Sequence, residues 1–350
     1  MAWLPLHNEP ERALAEEWLS WLDEGELLRE DHFLATLTSG QEGPDPGSPD
    51  PVHVARLVRG ALRAHAFSEA PAWLERGTRF ATTLRATLPA DLSAMPLADL
   101  ADIQQAFSLA WTRSRESAWH EPARGLTEIL KTRLESTSEP GTPIPRAERI
   151  VAAARLAPTA ASQGDDELLA WAGEQVAREL AAMGSEDIRP IATGGTAGSP
   201  DLPGIVASAR LLRALLEADT CLAGFDIAES LPMLYRRFRD DTAPLNDPIR
   251  LKQACRDART AFPWCVAELE TTISHAVLIE RFPAAARLAW LGLRDLWWTW
   301  RDPETWWLIP RPLRRGRKIT ADTLSLTLSL YAGLPDYLLG MRHCSQPLFE

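Results

Sequence analysis

Apolar residues recur along most of the chain at the spacing of one helix face, i, i+4, i+7 and i+8. Near the N-terminus this spacing is shown by Leu14, Trp18, Trp21 and Leu22. The chain shows no alternation of strand and helix patterns of the kind that builds a parallel sheet. We therefore predict an all-α fold.

One segment departs from the helical spacing. Four leucines alternate there with Thr and Ser, which is the period of a β-strand; they are Leu324, Leu326, Leu328 and Leu330. Thr320 and Asp322 stand at the position of a helix start just before them. We interpret this segment as a buried helix.

Segments rich in Gly or Pro interrupt the helical pattern and divide the chain. Residues 1–38 are predicted to form an N-terminal helical segment, and residues 39–52 a flexible loop. Residues 53–350 are predicted to form a single domain of helical hairpins. Within that domain we expect loop insertions at residues 136–146, 193–204 and 309–318.

A faint repeat runs through this domain. A large aliphatic residue followed three positions later by alanine opens five successive segments: Val58/Ala61, Ile103/Ala106, Val151/Ala154, Val206/Ala209 and Leu251/Ala254. The pairs are 45, 48, 55 and 45 residues apart, and a second helical run follows each one. Such a period predicts helical hairpins of about 45–50 residues that form either an (α/α) toroid or a short α-solenoid. Irregular helical packing is the alternative, because this pair is frequent in a chain rich in Ala and Leu.

Composition narrows the class of protein. The chain has 350 residues, 45 % of them apolar, with a net charge of −11 and four cysteines without a CxxC pair. These values exclude a wholly disordered or disulfide-stapled chain and argue against nucleic acid as a partner. No signal peptide or long apolar segment is evident, so we expect a cytoplasmic protein without a membrane span. The bias toward Ala, Arg, Leu and Pro suggests a bacterial source.

Tryptophan is the most unusual feature, because 14 are present and five of those near the C-terminus are candidates for one ligand site. With two neighbouring arginines, the candidate residues are Trp290, Trp297, Trp300, Trp306, Trp307, Arg301 and Arg311. The faces of indole rings can line a pocket for a hydrophobic or cationic ligand. Core packing is the alternative, since tryptophan buries a large area.

Acidic residues supply a second candidate site. Asp240 and Asp241 follow a predicted helix end, and Asp247 lies beyond a proline turn. Together they could form an acidic mouth that holds Mg²⁺ on a diphosphate. Flanking arginines favour a structural ion-paired corner instead. Upstream, Asp165 or Asp166 in the sequence GDDEL is predicted to cap a helix.

No motif in the chain specifies a chemistry, and neither a metal site nor a cofactor is evident. We therefore expect a helical-repeat binding or scaffolding protein, with a Trp-rich pocket or concave face for a peptide, a carrier protein or a hydrophobic small molecule. Bacterial specialised metabolism is a fitting setting. The alternative is an enzyme of the cyclase or lyase type with a Trp-lined cavity, and only this alternative calls for Mg²⁺.

Overall fold

A computed structural model of the chain describes residues 51–68, 71–136, 146–183, 202–219, 221, 222 and 224. Within these residues 86 % are helical and none is in a strand, which confirms the all-α prediction for this part of the chain. A short 3₁₀ turn, Ser117–Trp119, precedes the fourth of the helices. The α-helices are α1 (Pro51–Ser68), α2 (Pro71–Thr87), α3 (Leu97–Ser114), α4 (His120–Glu135), α5 (Arg146–Gln163), α6 (Asp166–Ala182) and α7 (Leu202–Asp219).

The helices pack as consecutive pairs. α1 packs on α2, α3 on α4, and α5 on α6. In addition α1 contacts α3, α3 contacts α5, and α5 contacts α7. These four odd-numbered helices, α1, α3, α5 and α7, are called the helix row below. Each even-numbered helix lies mainly against the member of the row that precedes it.

Two members of the helix row are enclosed on every side. All residues from 100 to 108 in α3 are buried, and so are all residues from 150 to 157 in α5. Successive residues of an α-helix are about 100° apart, so a run of this length covers the whole circumference. Neither helix therefore has a solvent-facing side in its central two turns.

The aliphatic–alanine pairs of the sequence lie in the row. Val58 of α1, Ile103 of α3 and Val151 of α5 are all buried, and so is the alanine one turn after each. A small side chain beside a large one lets neighbouring helices approach closely. α5 has the longest run of small buried side chains at such a pair, the three consecutive alanines at positions 152 to 154.

A capping side chain sets the start of α6. α6 begins after Asp165, whose carboxylate accepts a 2.9 Å hydrogen bond from the backbone N–H of Leu168. This confirms the predicted cap.

In the first hairpin Gly77 of α2 lies directly against Leu62 of α1, and an added Cβ would come within 2.6 Å of the leucine Cγ.

No helix in the described ranges is both long enough and apolar enough to cross a lipid bilayer.

Gly77→Ala is expected to lower the free energy of unfolding by about 1–3 kcal/mol, because the new methyl group overpacks a fully buried leucine. Gly125→Ala in α4 is the matched control, since an added Cβ there meets no atom within 4 Å. It is expected to raise the same free energy by about 0.5–1 kcal/mol through helix propensity. Urea denaturation measures both, and equal stabilisation by the two variants would contradict this packing of α1 on α2.

A buried charged cluster as the candidate functional site

The site residues predicted from the sequence lie outside the described part of the chain. This holds for the tryptophan pocket (Trp290, Trp297, Trp300, Trp306, Trp307, Arg301 and Arg311) and for the acidic mouth (Asp240, Asp241 and Asp247). Both sites remain predictions. The strand-like leucines at 324–330 are also outside the described residues.

Within the described residues, charge is concentrated inside the helix row. Each of the four helices contributes one side chain to a line of ion pairs: Arg59 from α1, Asp102 from α3, Arg155 from α5 and Glu217 from α7. These four residues are called the charged cluster below. The first three side chains are at most 7 % exposed, and Glu217 is 14 % exposed.

Asp102 is the centre of the charged cluster. Its Oδ1 accepts a 3.0 Å hydrogen bond from Nη1 of Arg59, and the same oxygen lies 3.0 Å from Nε of Arg155. One carboxylate of α3 therefore pairs with a guanidinium from the helix on either side of it. A charge buried this deeply needs such partners, because transfer from water to the interior is costly.

The pairs continue toward α7. Nη1 of Arg155 lies 3.6 Å from Oε2 of Glu217 and donates a 3.3 Å hydrogen bond to Oε1 of Gln105. On α7 itself, Nε of Arg213 donates a 3.2 Å hydrogen bond to Oε1 of Glu217, one helical turn away. The charged cluster thus joins α1, α3, α5 and α7 across the whole row.

A second ion pair borders the charged cluster in a wetter position. Nη1 of Arg210 lies 3.7 Å from Oδ1 of Asp99, and the two side chains are 25 % and 22 % exposed. Arginine is therefore plentiful around the cluster, although the whole chain is acidic.

The electrostatics at Arg59 follow from this crowding. Desolvation by burial is the largest influence and lowers the pKa of its guanidinium. Asp102 and Glu217 raise that pKa, while the positive charges of Arg213 and Arg210 lower it further. Additional negative charge near Arg59 would therefore stabilise its protonated form.

Arg59 also has donors that the protein leaves unused. Its Nε and Nη2 are buried and have no hydrogen-bond acceptor among the described residues. Within the described part of the chain only Nη1 is paired, with Asp102. A buried N–H of a charged group without a partner is unfavourable, so this arrangement needs an explanation.

A layer of neutral polar side chains lies beside the charged cluster and links α3, α4 and α5. Nε2 of Gln104 donates hydrogen bonds of 2.9 Å to Thr127 and 3.1 Å to Ser108. Thr159 of α5 donates a 3.4 Å hydrogen bond to Oε1 of the same glutamine. These bonds satisfy both ends of a buried amide, so this layer has a structural role.

The described residues contain no group of three His, Cys, Asp or Glu side chains placed to hold a metal ion. Cys221 is half-buried, and its thiol donates a 4.0 Å hydrogen bond to the backbone carbonyl of Glu217. The chemistry that the charged cluster itself offers is charge recognition, by guanidinium donors in a low-dielectric interior.

Sequence reasoning missed the charged cluster, although a signal was present. Arg59 directly follows Val58, Asp102 directly precedes Ile103, and Arg155 directly follows Ala154. Each charge therefore adjoins an aliphatic–alanine pair that the repeat places in the core. A charge at such a position predicts a buried ionic partner on a neighbouring helix.

No known protein family, curated protein or solved structure is detectably similar to this chain.

Asp102→Asn is expected to lower the free energy of unfolding by about 3–5 kcal/mol, because it leaves two buried guanidinium groups without their shared carboxylate. Asp99→Asn, the same substitution three residues earlier, removes a partly exposed ion pair and is expected to cost about 1 kcal/mol or less. Chemical denaturation of both variants tests this difference. Equal costs would show that Asp102 is not the centre of the cluster's stability.

Proposed function

We propose that this chain is a helical-repeat binding or scaffolding protein. It stacks helical hairpins of about 45–50 residues, as a short α-solenoid or an (α/α) toroid. Its ligand is a peptide, a carrier protein or a hydrophobic small molecule, held by the tryptophans between positions 290 and 307 or by a concave face of the stack. The setting is the bacterial cytoplasm.

The observation that carries this proposal is the helix row. In the described part of the chain α1 packs on α3, α3 on α5 and α5 on α7, while α2, α4 and α6 each lie mainly against the helix before them. Nearest-neighbour packing of this kind is how repeat proteins extend a stack, and stacked hairpins create concave binding surfaces. The aliphatic–alanine spacing supports the same view, because Val58, Ile103 and Val151 lie in successive members of the row.

One observation favours the alternative, an enzyme of the cyclase or lyase type. The central turns of α3 and α5 are enclosed on every side. Burial of this kind argues against an open groove along α3 and α5, and a closed toroid has no open groove. In that arrangement Asp240, Asp241 and Asp247 would hold Mg²⁺ at the mouth of a Trp-lined cavity.

A thermal-shift panel tests the proposal. It contains hydrophobic small molecules, acylated carrier peptides, and isoprenoid diphosphates with and without Mg²⁺. A ligand present at 100 times its Kd stabilises the folded state by about 2.7 kcal/mol, so a binder raises the melting temperature. We expect a carrier peptide or hydrophobic ligand to raise it, and expect Trp300→Leu and Trp307→Leu to abolish that rise.

Trp171→Leu is the matched control for the tryptophan variants. Trp171 lies on α6, where its Nε1 donates a 3.0 Å hydrogen bond to Glu135 and the ammonium group of Lys131 lies 5.6 Å from its ring. The control should keep the ligand-induced rise. A rise that needs both Mg²⁺ and a diphosphate would replace the binding proposal with the enzyme. Unfolding of Trp300→Leu and Trp307→Leu without ligand would assign those tryptophans to the core.

A further inference from the structure

Two neighbouring N–H donors of the Arg59 guanidinium, on Nε and Nη2, form one edge of that group and lie in the protein interior. Nε–H and Nη2–H point to the same side of the planar group and form the fork that pairs with two oxygen atoms of one oxyanion. In Arg59 both of these nitrogens are buried without an acceptor among the described residues, while Nη1 is held by Asp102. The ion pair therefore fixes the guanidinium by its other end and leaves the fork available.

In Arg149 of α5 the same two nitrogen atoms, Nε and Nη2, donate hydrogen bonds within the protein and have a structural role. Its Nε donates a 2.9 Å hydrogen bond to Oε1 of Glu179, and its Nη2 donates to the backbone carbonyl of Leu134. The two arginines thus use the same pair of atoms differently. The fork of Arg149 is occupied by the protein's own oxygens, and no oxygen of the residues that the structure describes occupies the fork of Arg59.

The surroundings of Arg59 favour an anion at that edge. Arg155 shares the Asp102 carboxylate with it, and Asp102 and Glu217 act on Arg59 more strongly than the positive charges of Arg213 and Arg210 do. Among the described residues of this region four guanidinium groups nevertheless lie with only three carboxylates, those of Asp99, Asp102 and Glu217. Burial strengthens any interaction between a guanidinium and an oxyanion, because little water screens it. The lowered pKa of Arg59 is consistent with this, since it reflects a positive charge held in a desolvated place.

The shape of the edge selects the class of ligand. Two parallel N–H donors match two oxygens on one carbon or phosphorus atom, as in a carboxylate or a phosphate, and such a group also carries the compensating charge. A water molecule or a neutral carbonyl supplies an acceptor without that charge. The side chain is 7 % exposed, so the ligand must be a small group or the end of a longer one.

We propose that Arg59 is the recognition residue of a buried oxyanion site in the helix row, where Nε–H and Nη2–H donate paired hydrogen bonds to the carboxylate or phosphate group of a ligand. Asp102 positions the guanidinium for this contact. The proposal stands apart from the tryptophan pocket, so each can fail without the other.

Titration of the full-length protein with sodium phosphate, and separately with sodium malonate, tests the site. Isothermal calorimetry and thermal shift are the readouts, at constant ionic strength adjusted with sodium chloride. We expect saturable binding of at least one of the two anions, and the one bound more tightly identifies the oxyanion class. Arg59→Lys keeps the positive charge beside Asp102 but lacks the fork, so its affinity should fall at least tenfold.

Arg149→Lys is the matched control, because it makes the same change at a fork that the protein itself occupies. Its anion affinity should stay within about twofold of the unaltered protein, since the positive charge at this position is retained. Phosphate stabilises many proteins without binding a site, and that general effect would appear equally in all three proteins. An equal, non-saturable response in all three overturns the proposal.

A second measurement does not depend on the variants being folded. The purified, unaltered protein is denatured, and the released small molecules are assayed for phosphate and for organic acids by mass spectrometry. A stoichiometric oxyanion supports the site even if added anions cannot exchange into it. A protein that releases no oxyanion and binds neither phosphate nor malonate overturns the proposal.

Discussion

The carboxylate of Asp102 lies between guanidinium groups from the two neighbouring helices, and the arrangement of the helix row depends on it. The charge buried in α3 meets opposite charges on α1 and α5, each at 3.0 Å, and sliding or rotation of these helices would break those contacts. Hydrophobic packing alone tolerates sliding and rotation between helices. Buried ion pairs of this kind are a weak source of net stability but a strong source of specificity, which we infer is their role in this row.

Small residues make that arrangement possible. The consecutive alanines 152 to 154 of α5 are buried in the row, and Gly77 of α2 lies directly against Leu62 of α1, so small residues let neighbouring helices pack closely at both places. The neutral layer around Gln104 adds buried hydrogen bonds that join α3 to α4 and to α5. Close packing and buried polar contacts therefore depend on one another here. If the helices moved apart, the buried polar groups would lose their partners while still in a low-dielectric interior, which is unfavourable.

The charged cluster also changes how the overall charge of the protein is understood. A net charge of −11 describes the electrostatic field that a distant partner meets. It says little about the interior, where arginines from α1, α5 and α7 gather within reach of one another. An acidic chain can thus contain a local site for an anion. The helix row suits this, because each of its four helices contributes one side chain to the same line of ion pairs.

The sequence by itself determined the features that depend on local periodicity. Helical spacing predicted the all-α class, and the sequence GDDEL predicted that Asp165 or Asp166 caps a helix, which Asp165 does at the start of α6. The aliphatic–alanine pairs mark positions that are buried in α1, α3 and α5. The meeting of Arg59 with Asp102, 43 residues away, was decided only by the tertiary structure. Periodicity shows which residues share a helix face, but not which face of another helix lies opposite. Because α3 is enclosed on every side, even the face that its polar residues mark as solvent-exposed is buried.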